Sequence, residues 1–217
     1  LPSYKDVEES IRQQFYSGEG AIQYVPEAIA RANADLLSNE ETKSTFIKLY
    51  VTEQASAADY LEGLGLKAGV VMTRDELNHR MGRYGLNPCG EIIGQDFHCN
   101  LAEIHLNTID PNDQKAQDDA FTAGALQVAA LLHHEFYIER YRYSREIDPI
   151  VGVSFTGLFD FFVHAFGSEW LGWMMNGRPN NKAGRSFVKR ERRYLQRWAD
   201  IVRLTVTNYC KKHDLRV

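Results

Sequence analysis

The run Phe97–Asn107 (FHCNLAEIHLN) sets the tightest limit on what this chain can fold into. Cys99, Leu101, Glu103, His105 and Asn107 alternate with the residues between them, which is the period of a strand with two unlike faces. Almost everything around it follows a helical period instead. Asp6–Tyr16 places Val7, Ile11, Phe15 and Tyr16 on one helical face, and Val25–Leu37 opens with Pro26 at a first-turn position. Residues 38–73 read as short helices and turns. Arg74–Tyr84 follows a Thr73 N-cap, carries Glu76 in its first turn and is ended by Gly85. Asp113 to Arg145 reads as one long helix, and its middle, Ala120–Leu132, is apolar nearly all round, which predicts deep burial. Ile150–Val153 reads as a short strand, Thr156–Phe166 and Glu169–Met175 as helices, Gly177–Gly184 as a loop, and Ser186–His213 as a second long helix. Strands this few cannot close a sheet by themselves, so the pattern predicts a helix-rich α/β segment of something larger.

Composition narrows the partners. The 217 residues carry a net charge of −4, which gives no general attraction to nucleic acid or to an anionic membrane. The basic run Lys189–Arg193 (KRERR) lies inside an amphipathic helical pattern and reads as a solvated helix face. No apolar run approaches the ~20 residues of a membrane span, and no signal peptide opens the sequence. Three cysteines, an odd number, argue against a secreted disulfide framework and for a reducing cytoplasm. The chain opens at Leu1 and closes at Arg216–Val217 directly after a helical pattern, so both ends read as cuts.

Ahead of the strand lies Asn87–Gln95, where Pro88, Gly90 and Gly94 mark a loop. Asn87, Cys89 and Glu91 stand at i, i+2 and i+4, and in extended backbone all three side chains project to one side. Pro88 and Gly90 occupy the places between, one stiff and one permissive. A thiol thus sits between an amide, which can hold a hydroxyl, and a carboxylate, which can take a proton. The carboxylate raises the thiol's pKa and makes it a poor thiolate nucleophile. That weakens a cysteine-hydrolase reading and leaves chemistry by a neutral thiol or a sulfur radical. Cys99 can share a cavity with Cys89 if the loop folds back, whereas Cys210, on the final helix, reads as a small buried hydrophobe.

Asn87-Pro88-Cys89-Gly90-Glu91 resembles the finger-loop motif of ribonucleotide reductases, whose signature is Asn-x-Cys-x-Glu. Pro and Gly in the variable places, and the run GEIIGQDFHCNLAEIHLN, resemble the adenosylcobalamin-dependent (class II) members, above all the monomeric ribonucleoside-triphosphate reductases. Phe15–Asn33 is similar to the helical segment that precedes the finger loop in this family, and Val151–Asp160 resembles a buried turn that follows it. The similarity spans most of the chain, with 87–107 as its specific core.

The resemblance implies a fold and a set of roles. The fold is part of a ten-stranded α/β barrel with a central finger loop. One barrel segment then runs through the chain, with a helical part at 1–86, the finger loop and its following strand at 87–107, and a second helical part at 108–217. Cys89 becomes the thiyl radical that takes hydrogen from the ribose 3′ carbon, Glu91 takes the 3′-hydroxyl proton, and Asn87 holds the sugar hydroxyls, with Pro88 and Gly90 beside the substrate. Cys99 is one half of the redox thiol pair, and its partner belongs to an early barrel strand that this chain lacks. Adenosylcobalamin generates the radical, a thioredoxin-type protein restores the thiols, and the substrate is a ribonucleoside triphosphate or diphosphate. The family's phosphate-binding segment and its C-terminal cysteine pair are also absent from this sequence. The expectation is therefore a cytoplasmic piece of a split, intein-interrupted or processed reductase, active only with complementary fragments and without nucleic-acid or membrane partners.

Three other readings compete. A metal module built from Cys89, Cys99 and His98, or from His133, His134 and Glu135, lacks paired-cysteine or HExxH spacing, and adjacent helical residues point about 100° apart. A Cys/His hydrolase needs an activated thiolate. A non-catalytic helical structural or interaction domain needs none of these groups. Trp170, Trp173, Met174 and Met175 read as core or as an interface with a partner fragment.

Overall fold

The structure, a computed structural model, describes residues 3–18, 22–87, 90 and 92–216. The chain divides into two compact units, Leu1–Asp96 and Phe97–Val217.

The first unit is helical. Helix α1 (Tyr4–Ser17) begins at a Ser3–Asp6 capping box, and α2 (Val25–Ala32) carries Pro26 in its first turn. Residues 38–73, expected as short helices and turns, instead hold two substantial helices, α3 (Glu40–Thr52) and α4 (Gln54–Lys67). Asn39 caps α3 by accepting the Thr42 amide, and Glu53, in extended backbone at φ −159°, is the single break between the two. The two glycines at 63 and 65 weaken the helical signal of α4 without ending it, because Ala57, Leu61 and Gly65 are held by burial. α5 (Arg74–Met81) starts at the expected Thr73 N-cap, which forms a capping box with Glu76, and stops at Gly82, three residues before Gly85. The core gathers Ile29, Leu37, Phe46, Leu61 and Leu77. Asn33, wholly buried, ties α2 to α5: its amide donates to the Ile29 and Arg80 carbonyls, and its oxygen accepts from Arg80 and Arg83.

The second unit is built on a parallel strand pair, β3 (Cys99–His105) and β4 (Ile150–Thr156), in register Cys99↔Ile150 through His105↔Thr156. The expected strand at 97–107 is thus present in shortened form and ends in a 3-10 turn at Leu106–Thr108. β4 extends the short strand expected at 150–153 to Thr156. It also replaces the buried turn that the family resemblance suggests for Val151–Asp160, since the segment runs as strand into α8 (Leu158–Phe166). α9 (Ser168–Met175) follows, then α10 (Lys182–Lys212).

Two helical expectations are corrected here. The long helix at 113–145 is broken: α6 (Gln114–Ala130) gives way to a 3-10 turn at Leu131–His133, and α7 (Glu139–Ile147) starts afresh. Between them Phe136 stacks on His98 with ring centroids 4.2 Å apart, and the Arg145 guanidinium donates to the His134 carbonyl, so tertiary contacts take over residues of modest helix propensity. The apolar stretch Ala120–Leu132 is also buried on one stripe only. Phe121, Ala125, Val128 and Leu132 are covered, whereas Leu126 and Leu131 are each 43% exposed.

α10 begins within the expected loop, at Lys182, because Asn181 caps it by accepting the Gly184 amide at 2.8 Å. Gly184 signals a loop in sequence, yet its role is close packing: a Cβ there would come within 2.3 Å of the Pro179 carbonyl oxygen and 2.6 Å of the Trp173 indole nitrogen. The core of this unit is aromatic, with Phe121 stacked on Trp198 at 5.0 Å and Phe161, Phe162, Trp170 and Trp173 around them. Trp170 and Trp173 are core residues, while Met175 is exposed. Helix-rich α/β architecture is what these elements establish; among the described residues the strands form two two-stranded sheets. No described helix is long and apolar enough to cross a membrane.

Candidate functional site

The cysteine loop stands on a short antiparallel stem in the first unit. β1 (Gly85–Leu86) pairs with β2 (Ile93–Gly94), Gly85 opposite Gly94 and Leu86 opposite Ile93. Gln23 buttresses the stem by donating to the Tyr84 carbonyl at 2.6 Å. Asn87 closes the loop at its base in two ways. Its backbone amide donates to the Ile92 carbonyl at 3.3 Å, and its side-chain oxygen accepts the Ile92 amide at 3.0 Å. The Gly90 amide donates to the Asn87 carbonyl at 2.9 Å, and Gly90 lies at φ +75°, a left-handed conformation that glycine adopts without strain. Pro88, Cys89 and Glu91 lie outside the described residues.

The second thiol belongs to the other unit. Gly124 of α6 shows which face of the strand pair is covered, since a Cβ there would meet Ala102, Ile104 and Val153 at 3.1–3.6 Å. Ala102 is accordingly 6% exposed and Leu101, on the opposite face, 56%. Cys99, Leu101, Glu103 and His105 share that opposite face with Ile150, Gly152, Ser154 and Thr156. The period-2 reading of 99–107 thus identified the face that α6 does not cover. Cys99 is half-buried, and the His105 Nδ1 lies 2.9 Å from the Thr156 hydroxyl.

Sequence reasoning missed this pairing of β3 with β4, which sets His105 beside Thr156 across a separation of 51 residues. The parity of β3 was legible, but no local signal names the partner strand. Cys210 is buried, as expected of a structural cysteine, and burial pushes its thiol pKa up. His133 and His134 diverge: His133 packs against Tyr209 and His213, His134 against Phe136. Among the described residues no group of three His, Cys, Asp or Glu side chains converges as a metal site.

Comparison with protein-family models, with curated proteins and with solved structures finds no match.

Proposed function

We propose that this chain is the finger-loop segment of a ribonucleotide reductase, of the adenosylcobalamin-dependent kind that acts on ribonucleoside triphosphates, and that it works as one piece of a larger barrel. The observation that carries the reading is the sequence NPCGE set at the end of a two-stranded stem, with its base closed by the Asn87–Ile92 hydrogen bonds. A thiol and a carboxylate two residues apart in a loop whose base is hydrogen-bonded suit chemistry in which a single sulfur atom must meet one carbon of the substrate. The half-buried Cys99, on a strand face that α6 leaves uncovered, supports a second thiol role. A parallel pair with no further strand beside it among the described residues suits strands that continue into a larger sheet.

In this reading the Cys89 thiyl radical takes the 3′ hydrogen atom as Glu91 takes the 3′-hydroxyl proton, the 2′ hydroxyl leaves as water with a proton from the thiol pair, and Cys89 finally returns the hydrogen atom to the 3′ carbon. Cys99 and a thiol from the rest of the barrel supply two electrons and end as a disulfide. Asn87 binds a sugar hydroxyl through its amide hydrogens, its oxygen being engaged by Ile92. Bound adenosylcobalamin would supply the radical by homolysis of its cobalt–carbon bond. Cavities of about 340, 360 and 390 Å³ lie along α10, each too small for a corrinoid, and no residue of this chain is assigned to that cofactor.

The test mixes the chain with the complementary reductase piece, adenosylcobalamin, a dithiol and a ribonucleoside triphosphate. Deoxynucleotide should form with the native chain and fall to background with Cys89→Ser. Full activity of Cys89→Ser, or turnover by this chain without the other piece, would sink the proposal.

A further inference from the structure

The basic run Lys189–Arg193 is not one solvated face. Arg190 lies over the Phe166 ring at 4.3 Å and donates to the Ala165 carbonyl. Glu191 turns inward, 6% exposed, and its carboxylate accepts from the Trp170 indole and from Arg178, both at 2.7 Å. That leaves Lys189, Arg192 and Arg193, of which Lys189 and Arg192 form with Arg185 a stripe at i, i+4 and i+7 along the first turns of α10. The stripe borders a cavity of about 340 Å³.

Charge in this cavity is unbalanced. Its lining contains four cations, Arg178, Arg185, Lys189 and Arg192, and no acid. Arg178 is neutralised by Glu191, whose negative charge is engaged there and by Trp170. Among the described residues, none of the other three cations has a carboxylate partner, although the chain as a whole is acidic. Like charges at i and i+4 repel, so three of them beside one hollow is an arrangement that a multiply charged anion relieves. From Arg185 to Arg192 the helix rises about 10 Å, which suits two or three linked anionic groups better than one. The walls between the cations are apolar, provided by Trp173, Pro179 and Val188. Arg178, over the Trp173 ring at 4.6 Å and ion-paired to Glu191, forms a further part of the wall.

We propose that this cavity binds a polyphosphate chain, carried on a small organic body that lies on Trp173, Pro179 and Val188. Arg185, Lys189 and Arg192 take the phosphates. A concave pocket of this volume fits a small molecule, and the proposal does not rest on the reductase reading.

Calorimetric titration of the full chain with inorganic tripolyphosphate and, separately, with adenosine triphosphate tests this at fixed ionic strength. One saturable site per chain is expected for each probe. Tighter binding of the nucleotide is expected, because its organic body gains the apolar walls, and equal binding of the two probes would overturn the organic body. The double variant Lys189→Gln/Arg192→Gln should weaken both probes by about tenfold or more. Arg193→Gln/Lys211→Gln removes the same charge from exposed positions of α10 outside the cavity and should change affinity less than about twofold. Unaltered far-ultraviolet circular dichroism shows that both doubles fold. Failure of either probe to saturate, or equal losses in the two doubles, would overturn the proposal.

Discussion

Asn87 commits its side-chain oxygen to the Ile92 amide, so the residue that the family resemblance gives to substrate is also a clasp of its own loop. The two roles separate by substitution. Asn87→Ala removes the acceptor and leaves the half-buried Ile92 amide without it, which should cost the first unit about 1 kcal/mol in urea denaturation. Asn87→Asp keeps an acceptor for Ile92 and loses the amide hydrogens. Its stability should lie within about 0.5 kcal/mol of the native chain, while deoxynucleotide formation in the complemented system falls at least about tenfold. Equal stability losses in both variants would show that the clasp is not what the oxygen does. Much of this residue chemistry was legible before folding: glycine at 90 announced a permissive backbone, and φ +75° is that permission used. What sequence could not supply was the clasp between Asn87 and Ile92. It depends on the β1–β2 stem, which is two residue pairs long and too short to carry a strand signal.

At the scale of elements, α10 is fastened to α6 by both packing and charge. Trp198 stacks on Phe121, and Arg197 holds the Asp118 carboxylate in a two-pronged contact, one prong at 2.8 Å. Hydrogen bonding and attraction from Arg197 keep the Asp118 pKa below the ordinary carboxylate value. A carboxyl whose folded pKa is depressed contributes stability at pH values above its unfolded pKa, near 4, and loses that contribution as pH falls through the folded value. Asp118→Asn should therefore be less stable than the native chain at pH 7, and the gap should narrow as pH drops below about 4. Urea midpoints for the second unit, followed by fluorescence of Trp170, Trp173 and Trp198, measure this. A gap that stays constant from pH 7 to pH 3 would remove Arg197 as its cause. The break between α6 and α7 belongs to the same scale. Helical periodicity continues past Ala130, and the contacts of Phe136 with His98 and of Arg145 with the His134 carbonyl show why the backbone abandons it.

For the whole molecule, the strand face that carries Cys99 is the one that α6 leaves uncovered. Leu101 is 56% exposed there, and the β3–β4 pair has no further strand among the described residues. Under the proposed function this face looks into a barrel completed by other strands. Leu101→Asp should then move the urea midpoint of the isolated chain by less than about 1 kcal/mol. The same change should abolish both co-elution with the complementary piece and deoxynucleotide formation. Unimpaired assembly of the variant would mean that the face is not the one that docks. Sequence alone determined the helix-rich α/β character, the Thr73 N-cap and the two-faced strand at 99–105, because each is written within a few residues by period or capping chemistry. Tertiary structure alone decided that β4 partners β3, that α6 stops at Ala130, that Glu191 leaves its basic neighbours for Trp170 and Arg178, and that Gly184 is a packing site. Those outcomes depend on contacts between residues far apart in the chain or on space left by a missing side chain, and local patterning holds no record of either.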